Sequence, residues 1–178
     1  RTEPTSPETI RDFIVEHIID HFEFAVILCI SSTRSQIYGN AAEALKSLPH
    51  ILPENSPSPG KLEHAFAIDT RAVFSGEALL ANSASNILRP SSQHAGITFP
   101  ELISLIKNQI RQVHTYVVPD DLAYLKNRGR LRNEKSVGQI DYLIATTLGL
   151  RPVIHWERAT SKKIKVCKSF TSAFTEIC

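Results

Sequence analysis

The sequence predicts an α/β protein, a sheet with crossover helices, and three observations predict it. One short, continuous apolar run, 24–30, has the length and branching of a buried strand of the parallel-sheet kind, and HAFAID at 64–69 reads as a second strand ending in an acid. Stretches with apolar residues at helical spacing alternate with such runs over the first 118 residues. Proline- and serine-rich punctuation, such as PHILPENSPSPG at 49–60, separates them as loops.

Taken in order, Ser6-Pro7-Glu8 opens the first helix: serine caps, proline suits the first helical position, and the acid suits the positive end of the dipole. Ile10, Phe13, Ile14 and Ile18 recur on one face, and the helix is expected to end near His21. Phe24–Ile30 is a strand, and Ser35–Leu48 is the helix after it, biased by Ala41, Ala42, Ala44 and Leu45. HAFAID (64–69) is a second strand ending in an acid; Gly76–Ile87 is a helix and RPSSQHAG a loop. Thr98-Phe99-Pro100-Glu101 starts a helix whose apolar face is Leu102, Leu105, Ile106 and Ile110. HTYVV (114–118) is read as a third strand. From Asp120 the pattern changes. A helix is expected from Ser136 to about Leu148, then a strand LRPVIHWE, then KKIKVCKSFTSAF as a strand passing into a helix. The organisation expected is an α/β domain over 1–119 and a second, mixed α+β portion over 120–178.

Twenty basic residues against 18 acidic ones give a net charge of +2, so nucleic acid is not an expected partner. Basic residues do thicken between Lys126 and Lys168. No apolar run approaches the ~20 residues of a membrane-spanning helix, and no signal peptide opens the sequence. Cys29, Cys167 and Cys178 are odd in number and widely spaced, which suggests reduced thiols and a cytoplasmic setting. No metal or redox motif is present. There is no methionine, as expected of a segment of a longer chain.

The chemistry-bearing stretch is AVILCISSTRSQIYGNAAEAL (25–45). Ser31, Ser32, Thr33 and Ser35 stand where an apolar strand gives way to a helix. Ligands of open α/β sheets sit beyond the carboxyl ends of strands. The free N–H groups of a helix N-terminus favour anions, and hydroxyls add donors. A phosphate or a carboxylate suits this combination; helix capping alone is the other reading. The pattern is neither a P-loop nor a nucleophile elbow.

ISSTRSQIYGNAAEA resembles the Ser-Ser-x-x-Ser-x-x-Tyr-x-x-Ala signature of the DegV family of bacterial lipid-binding proteins, at Ser31, Ser32, Ser35, Tyr38 and Ala41. Further stretches are similar in order: TEPTSPETIRDF (2–13), IDTRAVFSGEALL (68–80), DDLAYLKNRGRL (120–131) and LGLRPVI (148–154). The resemblance implies a carrier, not an enzyme. It would bury one long-chain fatty acid between an α/β N-terminal domain and a mixed C-terminal one, with no cofactor, and some members present the acid to a fatty acid kinase. It places the ligand's carboxylate at the strand–helix turn, on Ser31, Ser32 and Ser35, with Arg130 from the Gly-Gly-Arg segment. The family's anion-contacting threonine falls on Arg1, so Thr2 is expected to substitute. Other departures are Arg128 at the first glycine of Gly-Gly-Arg, a longer segment before Pro152, and Cys167 at a family arginine. The resemblance also implies an earlier strand ending in Asp-Ser and a later His-x-Gly-Pro-Gly loop, both outside these 178 residues.

Two alternatives stand beside this reading. One is a small hydrolase using a turn serine, which needs a histidine converging on Ser31, Ser32 or Ser35. The other is a degenerate DegV-like interaction domain without ligand. His17 and His21 share zinc-pair spacing, but without a third ligand they read as solvated helix residues. Asp69 reads as a cap of the next turn, Asp120 and Asp121 as a helix start, and Trp156 as core.

Overall fold

The structure is a computed structural model, and it describes residues 3–48, 62–89, 96–124, 127 and 149–177. The expected loop at 49–60 and helix at 136–148 lie outside the described residues, as does most of the RPSSQHAG loop. The fold is mixed α/β and divides into two compact units, Arg1–Val113 and His114–Cys178.

The first unit begins with α1 (Pro7–His17), whose Ser6 hydroxyl accepts the Thr9 N–H at 3.2 Å. Ile14 is buried, and Ile10 and Ile18 pack around the same cluster. Phe13, expected on that face, is 57% exposed and sets its ring against His17. The helix stops at His17, short of His21, in a turn where the Ile18 and Ile19 N–H groups both donate to the Ile14 carbonyl. β1 (Phe24–Cys29) and β2 (His64–Asp69) pair in parallel, from Phe24 opposite His64 to Cys29 opposite Asp69, with α2 (Ile37–Ser47) on the crossover. α3 (Ser75–Ile87) and α4 (Phe99–Ile110) follow.

Alternation along the strands divides the core in two, because successive side chains face opposite sides of a sheet. Ile27, Cys29 and Ala67 pack with Ala41, Ile37 and Tyr38 of the α2 side. Val26, Leu28 and Ile68 pack with Leu80 and Ile87 of α3 and with Leu102, Ile103, Ile106 and Ile110 of α4. Helices therefore pack on both faces, which is why β1 reads as an unbroken apolar run. α4 carries a reciprocal capping box between Thr98 and Glu101. That hydrogen bonding holds the Glu101 carboxyl below its ordinary range.

The second unit is an antiparallel sheet in the order β3 (His114–Val117), β4 (Arg151–Glu157), β5 (Thr160–Cys167), followed by α5 (Phe170–Thr175). The strand 114–118 was expected to continue the α/β pattern of the first unit. It pairs instead with β4, Thr115 opposite Trp156. Its residues alternate in exposure, the mark of a strand with one solvated face. Pairing shifts from Val153–Lys165 to Ile154–Lys163, leaving Ile164 as the extra residue of a bulge. Val153, Cys167 and Ala173 form the core here, and Trp156 is buried. Asp121 accepts the Tyr124 N–H at 2.9 Å, the expected helix-start cap, while Asp120 pairs with Arg151. Among the described residues no helix is long and apolar enough to cross a membrane.

Candidate functional site

The turn after β1 is tied to the turn after β2 by backbone and hydroxyl bonds. Cys29 and Asp69 are paired at the strand ends, so both loops leave the sheet side by side. Thr70 donates both its N–H (3.0 Å) and its hydroxyl (2.7 Å) to the Cys29 carbonyl. The Ser31 N–H returns a bond to the Ala72 carbonyl at 2.9 Å. Thr70 is 1% exposed and Ser31 fully buried, so these bonds are shielded from water.

The four hydroxyls then separate in role. Ser31 Oγ lies 3.0 Å from Thr33 Oγ1 inside the turn. Ser32 gives its hydroxyl proton to Asp69 Oδ2 at 2.5 Å and its N–H to Oδ1 at 3.1 Å. With its single proton committed, Ser32 offers a ligand only lone pairs. Ser35 Oγ accepts the Ile37 N–H at 3.3 Å, which leaves its own proton to donate. α2 has no acidic side chain in its first turn and no side-chain hydrogen bond from its N-cap, Gln36. The helix thus begins two residues later than Ser35, and its positive end is unneutralised within the helix. Asn40 Nδ2 holds the Thr5 carbonyl at 2.7 Å, bringing the segment before α1 alongside α2. Thr2 and Arg130, the other expected contacts, lie outside the described residues.

Asp69 is the residue whose importance here exceeds the sequence reading. It was legible as a strand-end cap, and it does accept the Arg71 N–H at 2.9 Å. Its grip on Ser32 was not legible, because 37 residues separate the two. Arg71 and Phe74 both have positive φ (53° and 51°), so the second turn is held in conformations that side chains rarely adopt. Phe74 stands in that strained conformation at the N-cap of α3, and its ring carries no nucleophile. Among the described residues no histidine hydrogen-bonds to Ser31, Ser32 or Ser35.

Beneath the turn, burial pushes the Cys29 thiol up to about 11, with smaller contributions from Glu77 and Asp69. Burial likewise raises the Glu77 carboxyl in the first turn of α3. A thiol that stays protonated when folded contributes stability below its ordinary value of 9.0, lost as pH rises towards about 11. Only thiolate is nucleophilic, so Cys29 is expected to resist alkylation at neutral pH and to react only through opening of the fold. Peptide mapping after timed iodoacetamide labelling checks this. Rapid labelling of Cys29 in the native protein would contradict it.

Fold and site together define an α/β protein with a hydroxyl-bearing turn at the carboxyl ends of parallel strands. The family described as "Uncharacterised protein, DegV family" matches residues 1–178, and the chain belongs to the DegV family. It is 30% identical over 174 residues to a DegV domain-containing protein of Xanthomonas axonopodis pv. citri, covering 95% of this chain and 53% of that one. The chain thus spans about half the length of the curated relatives it matches. Among solved structures it is similar to a DegV family protein from Ruminococcus gnavus ATCC 29149 refined with vaccenic acid. The TM-score is 0.73 at 20% identity, over 99% of this chain and 55% of that one. It is also similar to the Streptococcus pneumoniae fatty acid kinase B3 protein loaded with linoleic acid. There the TM-score is 0.64 at 17% identity, over 98% of this chain and 56% of that one. At these identities the structural likeness establishes the fold.

Proposed function

We propose that the protein takes part in carrying a long-chain fatty acid, with the ligand's carboxylate at the 31–35 turn, and is itself not an enzyme. The observation that carries this reading is the turn: a donor-competent Ser35 at the start of α2, whose first turn has no acidic side chain, in a DegV-family chain. The fatty acids bound by the solved relatives lend it support. In this reading the Ser35 hydroxyl and the first-turn N–H groups of α2 beyond Ile37 meet the carboxylate. Ser31 and Ser32 shape the turn through Thr33 and Asp69. The family resemblance nominates Thr2 and Arg130 as further carboxylate contacts. Affinity comes from the acyl tail, at ~0.8 kcal/mol per buried CH₂, and orientation from the donors. The pneumococcal relative extends the proposal to a kinase as the partner that receives the bound acid. A cytoplasmic setting goes with that role.

Native mass spectrometry of the purified protein, with identification of what denaturing extraction releases, tests the reading. One fatty acid per chain is expected; a protein that stays empty after incubation with long-chain fatty acids would overturn it. The head-group assignment has its own test. A hydrogen bond to a charged group is worth about 1.5–3 kcal/mol. Ser35→Ala is therefore expected to cut the preference for a free acid over its methyl ester roughly tenfold or more, while tail-length dependence is kept. An unchanged acid-to-ester ratio would remove Ser35 from the site.

A further inference from the structure

We propose that the antiparallel sheet holds a divalent transition-metal site built from His114, His155 and Glu157. This inference is independent of fatty acid binding. Nothing in the local sequence announces it, because His114 and His155 are 41 residues apart. Strand pairing brings them together: His114 stands opposite Glu157, and His155 opposite Tyr116 on the same face. His114 Nδ1 lies 2.9 Å from His155 Nε2 and 3.8 Å from Glu157 Oε2. All three donor atoms fall within 4.8 Å of one another. Donors about 2.0–2.1 Å from a tetrahedral zinc ion stand about 3.3 Å apart. The histidine pair needs to open slightly and the carboxylate to swing in, both within side-chain rotation.

The donor chemistry selects the ion class. Two imidazoles and one carboxylate suit zinc and its neighbours, whereas magnesium and calcium take oxygen donors. Three protein ligands leave a fourth position open, the arrangement of an accessible zinc site. The two ring nitrogens now share one proton. On binding, that proton moves to the outward nitrogen of the same ring, and both lone pairs face the metal. The Tyr116 ring stacks on His155 at 4.8 Å and fixes the plane of that imidazole. Side-chain exposures of 43% for His114 and 33% for Glu157 give an ion access. Two cations border the site: Arg158, 3.3 Å from Glu157 Oε1, and Lys162, opposite His155 on β5. Both point to moderate affinity, and Arg158 leaves Oε2 for the metal.

The test is calorimetric titration of the chelator-treated protein with zinc chloride, repeated on His114→Ala, His155→Ala and Glu157→Gln. Far-UV circular dichroism confirms that each variant is folded. Glu157→Gln keeps the side chain's shape and remains informative if a histidine variant fails to fold. One zinc per chain is expected, with at least a tenfold loss of affinity in each folded variant. Absence of zinc binding by the unaltered protein, or wild-type affinity in the folded variants, would overturn the proposal. Cobalt provides a second readout. Ligand-field bands without thiolate charge transfer are expected, and a thiolate band would move the metal to a cysteine and overturn the site.

Discussion

Truncating Ile106 to alanine is expected to lower the unfolding free energy by about 3–4 kcal/mol. Ile106 is fully buried and touches the cluster that joins α3, α4 and β2: Ile68, Leu80, Ile87, Leu102, Ile103 and Ile110. Removing three of its carbons forfeits their transfer from water and leaves a void that helices pinned on two sides close only partly. Against a typical total of about 5–15 kcal/mol, this is a large fraction. Ile106→Val should cost about 0.5–1.5 kcal/mol. Leu79→Ala is the control, because Leu79 is 56% exposed on the neighbouring helix; it should change stability by less than about 0.5 kcal/mol. Urea titration measures all three. Native hydrogen exchange should locate the Ile106→Ala loss in the amides of β1 and β2. Equal effects of Ile106→Ala and Leu79→Ala would contradict the core described above.

Asp69→Ala is expected to cost about 2–3 kcal/mol and to loosen the candidate site selectively. One carboxylate accepts three bonds: from the Ser32 N–H, the Ser32 hydroxyl and the Arg71 N–H. Hydrogen bonds to a charged group are individually worth more than neutral ones, but these lie at an exposed edge where water replaces part of the loss. Arg71 adds to the cost, since its positive φ is held in part by that carboxylate. Asp69→Asn keeps an oxygen acceptor and should lose less than half as much. The selective readout is amide exchange: the Ser32 and Arg71 N–H groups should speed up while the buried Ser31-to-Ala72 bond stays protected. If Asp69→Ala matches the parent protein in urea and in exchange at Ser32, the coupling between the two turns has no energetic weight.

These two residues mark the two kinds of information in the chain. Ile106 was readable from spacing alone, since α4 repeats apolar residues at intervals of three and four, and a helix face with that repeat must be buried. Ser6-Pro7 and Thr98-Phe99-Pro100-Glu101 fixed helix starts by local hydrogen bonding, and the start of each helix is where expected. The run FAVILC could be assigned as a strand because helices packed on both faces of the sheet favour apolar residues at successive positions. The hydroxyls of the 31–35 turn were visible too, as was the family to which the motifs belong.

The tertiary structure decided which groups meet. Hydroxyls are equally able to cap, to bind or to bond one another, and only the parallel pairing that sets Cys29 beside Asp69 commits the Ser32 proton. The same applies to β3. HTYVV announces a strand but not its neighbour, and pairing with β4 places it in the second unit. That pairing in turn brings His114 into hydrogen-bond distance of His155 and sets both beside Glu157. Local sequence determines backbone conformation through sterics and side-chain periodicity, which act over a few residues. Partners across a sheet are chosen by the burial of whole faces, so a site assembled from two strands exists only once the sheet has formed.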